Sequence, residues 1–187
     1  NNSFMRDSLG KQMFPEWLNI WDRPVSVGET GSRLFDSEGV ATAEMPIVEN
    51  GVVKEYFVNT YMSRKMGVEA TVEDATRPVV LPCFAPSVAE PVEATCGKEE
   101  LMRIVGEGIL VTGFNGGNSN SATGDFSFGV EGFLFKDGKI VHPVREMLIT
   151  GNLLTLWNNL LAAGNDARFC KSKLIPTLAF GNVDFSA

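Results

Sequence analysis

The chain predicts an α+β domain: mostly antiparallel β, in a barrel-like or sandwich-like sheet, with a few helices. Three observations carry this. Two tight-turn dipeptides, Asn50-Gly51 and Asp137-Gly138, separate β-type runs, and such pairs supply the positive φ angles that a tight hairpin requires. Residues Asp125 to Phe135 alternate Phe126, Phe128, Val130, Phe133 and Phe135 with Ser127, Gly129, Glu131 and Leu134, the period of a half-buried strand. Helical spacing is clearest only from Leu153 to Leu161.

The elements follow in order. The opening SFMRDSLGKQMF reads as a short helix capped by Ser3, with Phe4, Leu9 and Met13 sharing part of a face. After Pro15, Trp17 to Trp21 reads as an extended, partly buried run, and Gly28 to Gly31 as loop. Met45 to Val48 and Val52 to Val58 form a hairpin about Glu49-Asn50-Gly51. Thr60 to Met66 makes one or two helical turns that stop at Gly67. The stretch from Pro78 to Cys96 also holds Pro82, Pro86 and Pro91. Each proline removes a ladder donor, so an irregular surface excursion or an edge segment is expected.

Lys98 to Val105 is a helix stopped near Gly106 and Gly108. Ile109 to Phe114 is expected as a buried strand that feeds a glycine- and asparagine-rich loop, Asn115 to Gly124. In the next strand the phase slips near Gly132, where a bulge would restore it. Asp137-Gly138 returns the chain through Lys139 to Val144, and Met147 to Thr150 continues as strand. Asn152 then N-caps a helix with Leu153, Leu156, Trp157, Leu160 and Leu161 as its apolar stripe and Gly164 as its stop. Ile175 to Phe180 is a last strand, followed by a turn at Gly181-Asn182 and a short tail.

A chain of 187 residues suffices for one buried domain, or for one module of a longer protein. It opens on Asn1 rather than Met, so upstream sequence is expected to be missing. The net charge of −7 opposes direct nucleic-acid binding, which depends on Lys and Arg displacing counterions. No apolar run approaches membrane-spanning length. Cys83, Cys96 and Cys170 are odd in number and lack tight ligand spacing, which fits free thiols in a reducing cytoplasm.

Hydrolytic chemistry has few candidates. His142 is the only histidine and precedes Pro143 on an expected strand, so neither a two-imidazole zinc site nor a Ser-His-Asp triad is indicated, and no Gly-x-Ser-x-Gly elbow occurs. Cys170 lies among Arg168, Lys171 and Lys173, charges that favour thiolate, although an ordinary thiol is the commoner case. Cys83 and Cys96 would need two further ligands to hold zinc. The Asn115 to Gly124 loop offers backbone N–H groups but lacks the Lys-Ser/Thr ending of a P-loop. It faces a substrate or partner, or else marks a tight crossing. Asp36-Ser37-Glu38-Gly39 reads as a solvated turn, with an acid/base pair as its less common alternative.

Four stretches taken together resemble the carboxy-terminal domain of the TldD/PmbA family: LGKQMFPEWLNI, FDSEGVATAEMPIVENGVVKEYFVNTYMSRKMG, TGDFSFGVEGFLFKDGKIVHPV and ITGNLLTLWNNLLAAGND. The resemblance spans nearly the whole chain. The TGDFS block and the tail Cys170-Lys171-Ser172-Lys173-Leu174-Ile175-Pro176 resemble the PmbA branch, also called TldE. It implies a cytoplasmic heterodimeric protease that processes peptides, including an antibiotic precursor, and that was first named as a modulator of DNA gyrase.

In that family TldD carries the zinc motif in its amino-terminal domain and takes a further ligand from a carboxy-terminal cysteine. The PmbA branch lacks the motif and serves as the partner subunit. The resemblance therefore implies residues 1–187 as a single carboxy-terminal domain with no catalytic residue and no cofactor of its own, with zinc in a TldD-like partner. Cys170 stands roughly where the TldD cysteine does, but its interval to Pro176 is shorter, and one thiolate cannot hold zinc without imidazoles. Asn115, Gly116, Gly117, Asn118, Asn120, Thr123, Gly124 and Asp125 are expected to face partner or peptide. Expected partners are a TldD-like subunit, peptide substrates and, when alone, a second copy of the chain; nucleic acid and membrane are not. Two alternatives remain: a full-length zinc metallopeptidase with its motif upstream, and a gyrase-binding regulator.

Overall fold

The computed structural model describes residues 3–88 and 96–186. Its strands form three antiparallel sheets rather than one. The first has the order β3-β2-β1-β4, from β1 (Ile20–Asp22), β2 (Met45–Glu49), β3 (Val52–Val53) and β4 (Pro78–Val80). The second, β10-β9-β5, joins β5 (Cys83–Phe84), β9 (Leu160–Ala163) and β10 (Leu178–Phe180). The third, β11-β8-β7-β6, is built from β6 (Glu107–Ser119), β7 (Asp125–Lys136), β8 (Lys139–Asn152) and β11 (Asp184–Ser186). Three short helices complete it: α1 (Thr60–Met66), α2 (Lys98–Val105) and α3 (Leu153–Asn158). The α+β class and the antiparallel pairing match expectation, but no sheet closes into a barrel among the described residues.

Leu18, Val48, Val80, Cys83, Leu160 and Ala163 form the core that joins the first two sheets. Cys96, Leu101 and Ala162 continue it under α2. The long third sheet has its own core, Phe126, Val130 and Ile149, with Leu153 and Leu156 of α3 packed against it. Phe126, Phe128 and Val130 thus point inward as the alternation predicts, leaving Ser127, Gly129 and Glu131 on the outer face.

The turns behave as their chemistry dictates. Asn50 and Gly51 adopt φ of 50° and 75°, and Asp137 and Gly138 adopt 51° and 72°. Asn59 caps α1 through its side chain, and Gly67 ends it at φ 68°. The expected slip near Gly132 is present: Val130 pairs with Met147, whereas Gly132 pairs with Val144.

Several expectations are revised where contacts distant in the chain decide. Residues 3–13 form turns, because the amides of Ser8 and Leu9 donate to the Tyr56 hydroxyl at 2.8 and 2.9 Å instead of to helix carbonyls. The second strand of the first hairpin lasts two residues rather than seven. The expected long helix ends at Asn158, and Leu160–Ala163 becomes the central strand β9. Ala162 and Ala163 are fully buried between β10 and β5, where small side chains allow close approach, so tertiary packing overrides the helical stripe. In the proline-rich stretch the edge-segment expectation holds, since β4 and β5 both lie at sheet edges, while Pro91 lies outside the described residues. The tail adds an unexpected strand, β11, beside β8. Ile109 to Phe114 is half-buried rather than buried, and Phe114 is 65% exposed.

Candidate functional site

The long sheet extends past the core, and its outer face carries a depression of about 450 Å³. Asn115 of β6, Gly129, Val130 and Glu131 of β7, and Arg145, Glu146, Met147 and Leu148 of β8 line it. The bulge creates this place. Between the Val130–Met147 and Gly132–Val144 pairs, Glu131 faces both Arg145 and Glu146, and Glu146 takes a left-handed φ of 59°. A side chain in that region costs about 1 kcal/mol or more and re-aims its neighbours. Gly129 leaves the floor bare, because a Cβ there would collide with the Asn115 carbonyl. Glu131 Oε2 accepts a hydrogen bond from Asn115 Nδ2 at 3.2 Å. The groove thus presents two carboxylates, one guanidinium and the apolar Leu148, which is 40% exposed.

The expected loop is shorter than its composition indicates. Strand β6 runs through Asn115 to Ser119, with a shift in register between Asn115 and Asn118 that accommodates Gly116 and Gly117. Only Asn120 to Gly124 forms the turn. It closes through Asn120 N to Asp125 O at 2.8 Å and Gly124 N to Asn120 O at 2.7 Å.

Of the eight expected positions, Asn115 lines the groove. Gly116, Asn118 and Asn120 are exposed along the strand end and turn, and Gly117 packs on Ser127 and Phe128. Thr123, Gly124 and Asp125 are engaged within the fold. The Thr123 hydroxyl donates to Asp125 Oδ2 at 2.6 Å, and Asn152 Nδ2 donates to Asp125 Oδ1 at 2.9 Å. These two donors hold the Asp125 carboxyl below its ordinary value. Gly124 is buried against Phe4 and Asn152. Glu131, Arg145, Glu146 and Leu148 were missed as site residues. The signal was present: the slip at Gly132 requires extra residues on the facing strand, and Arg145-Glu146 is that pair.

The remaining candidates are dispersed. His142 is exposed on β8, its Nδ1 3.0 Å from the Pro143 carbonyl oxygen. Cys170 is exposed on a loop, whereas Cys83 and Cys96 are buried and all three are free. Burial pushes the Cys83 and Cys96 thiols up, and for Cys96 the carboxylates of Glu100 and Asp166 add to this. No three His, Cys, Asp or Glu side chains converge as a metal cage among the described residues, which therefore do not by themselves fit a resident zinc ion.

Asp36 does begin a turn whose Ser37, Glu38 and Gly39 are exposed, as expected of a solvated turn, but the Asp36 side chain itself is buried. Its carboxylate accepts from the amides of Glu38, Val40 and Glu73 at 3.0, 2.9 and 3.1 Å. Burial works to raise its pKa, and these bonds outweigh it and hold the value down. Glu38 is engaged by the amide and hydroxyl of Thr60, so no free acid/base pair is left there.

No described helix is long and apolar enough to cross a membrane. Comparison with known proteins places these features in a family. The chain is 38% identical over 165 residues to a metalloprotease PmbA homolog from Haemophilus influenzae, covering 88% of this chain and 35% of that protein. The crystal structure of a protein described as a modulator of DNA gyrase, from Bacteroides thetaiotaomicron, superposes with a TM-score of 0.88 at 45% identity, over 99% of this chain and 40% of that one. TldE from Thermococcus kodakarensis shares the fold, with a TM-score of 0.81 at 21% identity, over 98% of this chain and 43% of that one. The chain thus spans well under half the length of these relatives. The model of the PmbA/TldA metallopeptidase C-terminal domain matches residues 1–187, and the chain belongs to that family.

Proposed function

We propose that this chain is the carboxy-terminal domain of a non-catalytic, PmbA-like partner subunit of a TldD-type zinc metalloprotease, working on peptides in the cytoplasm. The observation that carries this reading is the outer edge of β6, thirteen residues of strand with no strand paired on that side among the described residues. Such an edge accepts an extended peptide through main-chain hydrogen bonds and asks little of its sequence. The adjacent groove adds charges of both signs and one apolar contact, which suits a partner surface or a passing side chain.

The donor inventory supports a non-catalytic role for these residues. One histidine, exposed on β8, cannot supply the two imidazoles of a hydrolytic zinc centre, which supports a reading with the zinc in the TldD-like partner. Without that partner, the same face pairs two copies of the chain. Peptide cleavage by the full-length protein mixed with a TldD-like subunit tests this. Activity is expected to require both; an equal rate from the TldD-like subunit alone overturns the reading.

A second reading has its own support. The relatives are named metalloproteases, and this chain spans 35% of the H. influenzae protein. The full-length protein would then be a zinc metallopeptidase with a His-Glu-x-x-x-His motif upstream. Stoichiometric zinc in the full-length protein, with cleavage in the absence of any partner, would establish it. A gyrase-regulating role, after the description of the Bacteroides protein, would have to work through protein contact, because a charge of −7 opposes DNA. A pull-down with gyrase subunits tests that role.

A further inference from the structure

A second depression, of about 440 Å³, lies between the start of α2 and residues 166–177. Four cations line it: Lys98, Arg168, Lys171 and Lys173. Two carboxylates share the wall, and both are already engaged. Asp166 accepts from Thr177 N at 2.8 Å and Thr177 Oγ1 at 2.7 Å, and from Lys98 N at 3.2 Å. Glu99 pairs with Lys98 Nζ at 3.3 Å. Arg168, Lys171 and Lys173 make no ion pair among the described residues and stand exposed. Four cations against two carboxylates leave the pocket a net positive charge, in a chain whose net charge is −7. Ile175, 46% exposed, and Pro176 give the pocket an apolar wall.

We propose that this pocket binds the carboxylate of an acidic peptide stretch. A guanidinium and two ammonium groups without partners attract an anion, and the guanidinium can take a carboxylate with two parallel bonds. The volume falls within the range of small-ligand pockets, about 300–1,000 Å³, enough for one acidic side chain and its neighbour. An apolar wall beside the cations suits a peptide, whose carboxylate comes with aliphatic atoms attached. Nucleic acid suits it less, because its continuous phosphates would meet Glu99, Asp166 and the acidic remainder of the chain. The pocket shares no residue with the bulged groove and does not depend on the function proposed above.

The test uses full-length protein and a fluorescein-labelled, end-capped peptide, Gly-Glu-Glu-Ile-Glu-Gly, against its glutamine counterpart, read by anisotropy. The acidic peptide is expected to bind about tenfold more tightly at low salt and to lose most of that advantage near 0.3 M salt. Arg168→Gln, Lys171→Gln and Lys173→Gln combined should remove the advantage, while Lys139→Gln, at a lysine that does not line the pocket, should keep it.

A second readout does not depend on the variant folding. Cys170 is the exposed thiol of this domain, so the acidic peptide should slow its alkylation, mapped by mass spectrometry, in the unaltered protein. Equal binding of the two peptides, an unaffected triple variant, an unprotected Cys170, or tighter binding of a single-stranded oligonucleotide would each overturn the proposal.

Discussion

Asn152 and Asp125 are joined side chain to side chain, Nδ2 to Oδ1 at 2.9 Å, and this contact ties the tip of the β6–β7 hairpin to the start of α3. The same amide donates to the Thr123 carbonyl at 2.9 Å, while Asn152 Oδ1 caps Leu154 N at 3.0 Å. One residue thus serves as helix cap and as hairpin anchor.

Asn152→Ala is expected to cost about 1 kcal/mol in urea unfolding, the usual loss for an N-cap. Asn152→Asp keeps the cap but sets a carboxylate against Asp125. Its melting temperature should fall at pH 7, and the deficit should shrink below pH 4, as one of the two acids protonates.

The bulge supports a contrast between two glycines. A Cβ on Gly132 would strike the Leu110 carbonyl inside the ladder, so Gly132→Ala should destabilise by about 1–3 kcal/mol. Gly116 has open space around it, and its φ of 67° is the only obstacle. Gly116→Ala should cost about 1–2 kcal/mol, from left-handed strain alone. Chemical denaturation of both variants checks the order.

Acid should loosen the contact between α2 and the 166–177 segment. Burial works to raise the Asp166 pKa, but the amide and hydroxyl of Thr177 outweigh it and hold the value below 3.8. A depressed folded-state value stabilises above the unfolded value and is lost as pH falls through the folded one. Asp166→Asn should therefore cost about 0.5–1 kcal/mol at pH 7 and progressively less as pH falls through the folded-state value, as read by thermal melting on acidification.

Arg77 is 3% exposed and pairs with Glu29 on the connection between β1 and β2, while its own Nε finds no partner among the described residues. Glu29→Gln leaves this buried guanidinium uncompensated and should destabilise by about 1–3 kcal/mol. Replacing both, as Glu29→Leu with Arg77→Met, should recover most of that loss in the same denaturation assay.

Glu146 tests the groove directly. Glu146→Gly trades left-handed strain for chain entropy, so stability should change by less than about 1 kcal/mol. If the groove meets partner or peptide, partner-dependent cleavage should drop. An unchanged rate would place that contact elsewhere.

Much of this architecture is legible in the sequence where one local rule decides the outcome. Asn50-Gly51, Asp137-Gly138, the Asn59-to-Gly67 helix and the alternation around Phe126 each answer to backbone sterics or a period of two. The failures occur where distant contacts decide. Tyr56 captures the amides that a helix at Ser8 and Leu9 would need, and Ala162 and Ala163 serve a sheet although their neighbours trace a helical stripe. For the groove, composition drew attention to the glycines of β6. The charged pair Arg145-Glu146, read only as the continuation of a strand, became visible through its register with Glu131.

The kink at Gly116 and Gly117, with φ of 67° and 112°, has a bearing on solubility. A long bare strand margin ordinarily invites identical copies to stack without end. Here the register with β7 shifts twice, between Val111 and Gly113 and between Asn115 and Asn118, and each shift interrupts the margin that a recruited ribbon would follow. Interrupted in this way, the margin is a poor template for fibrils.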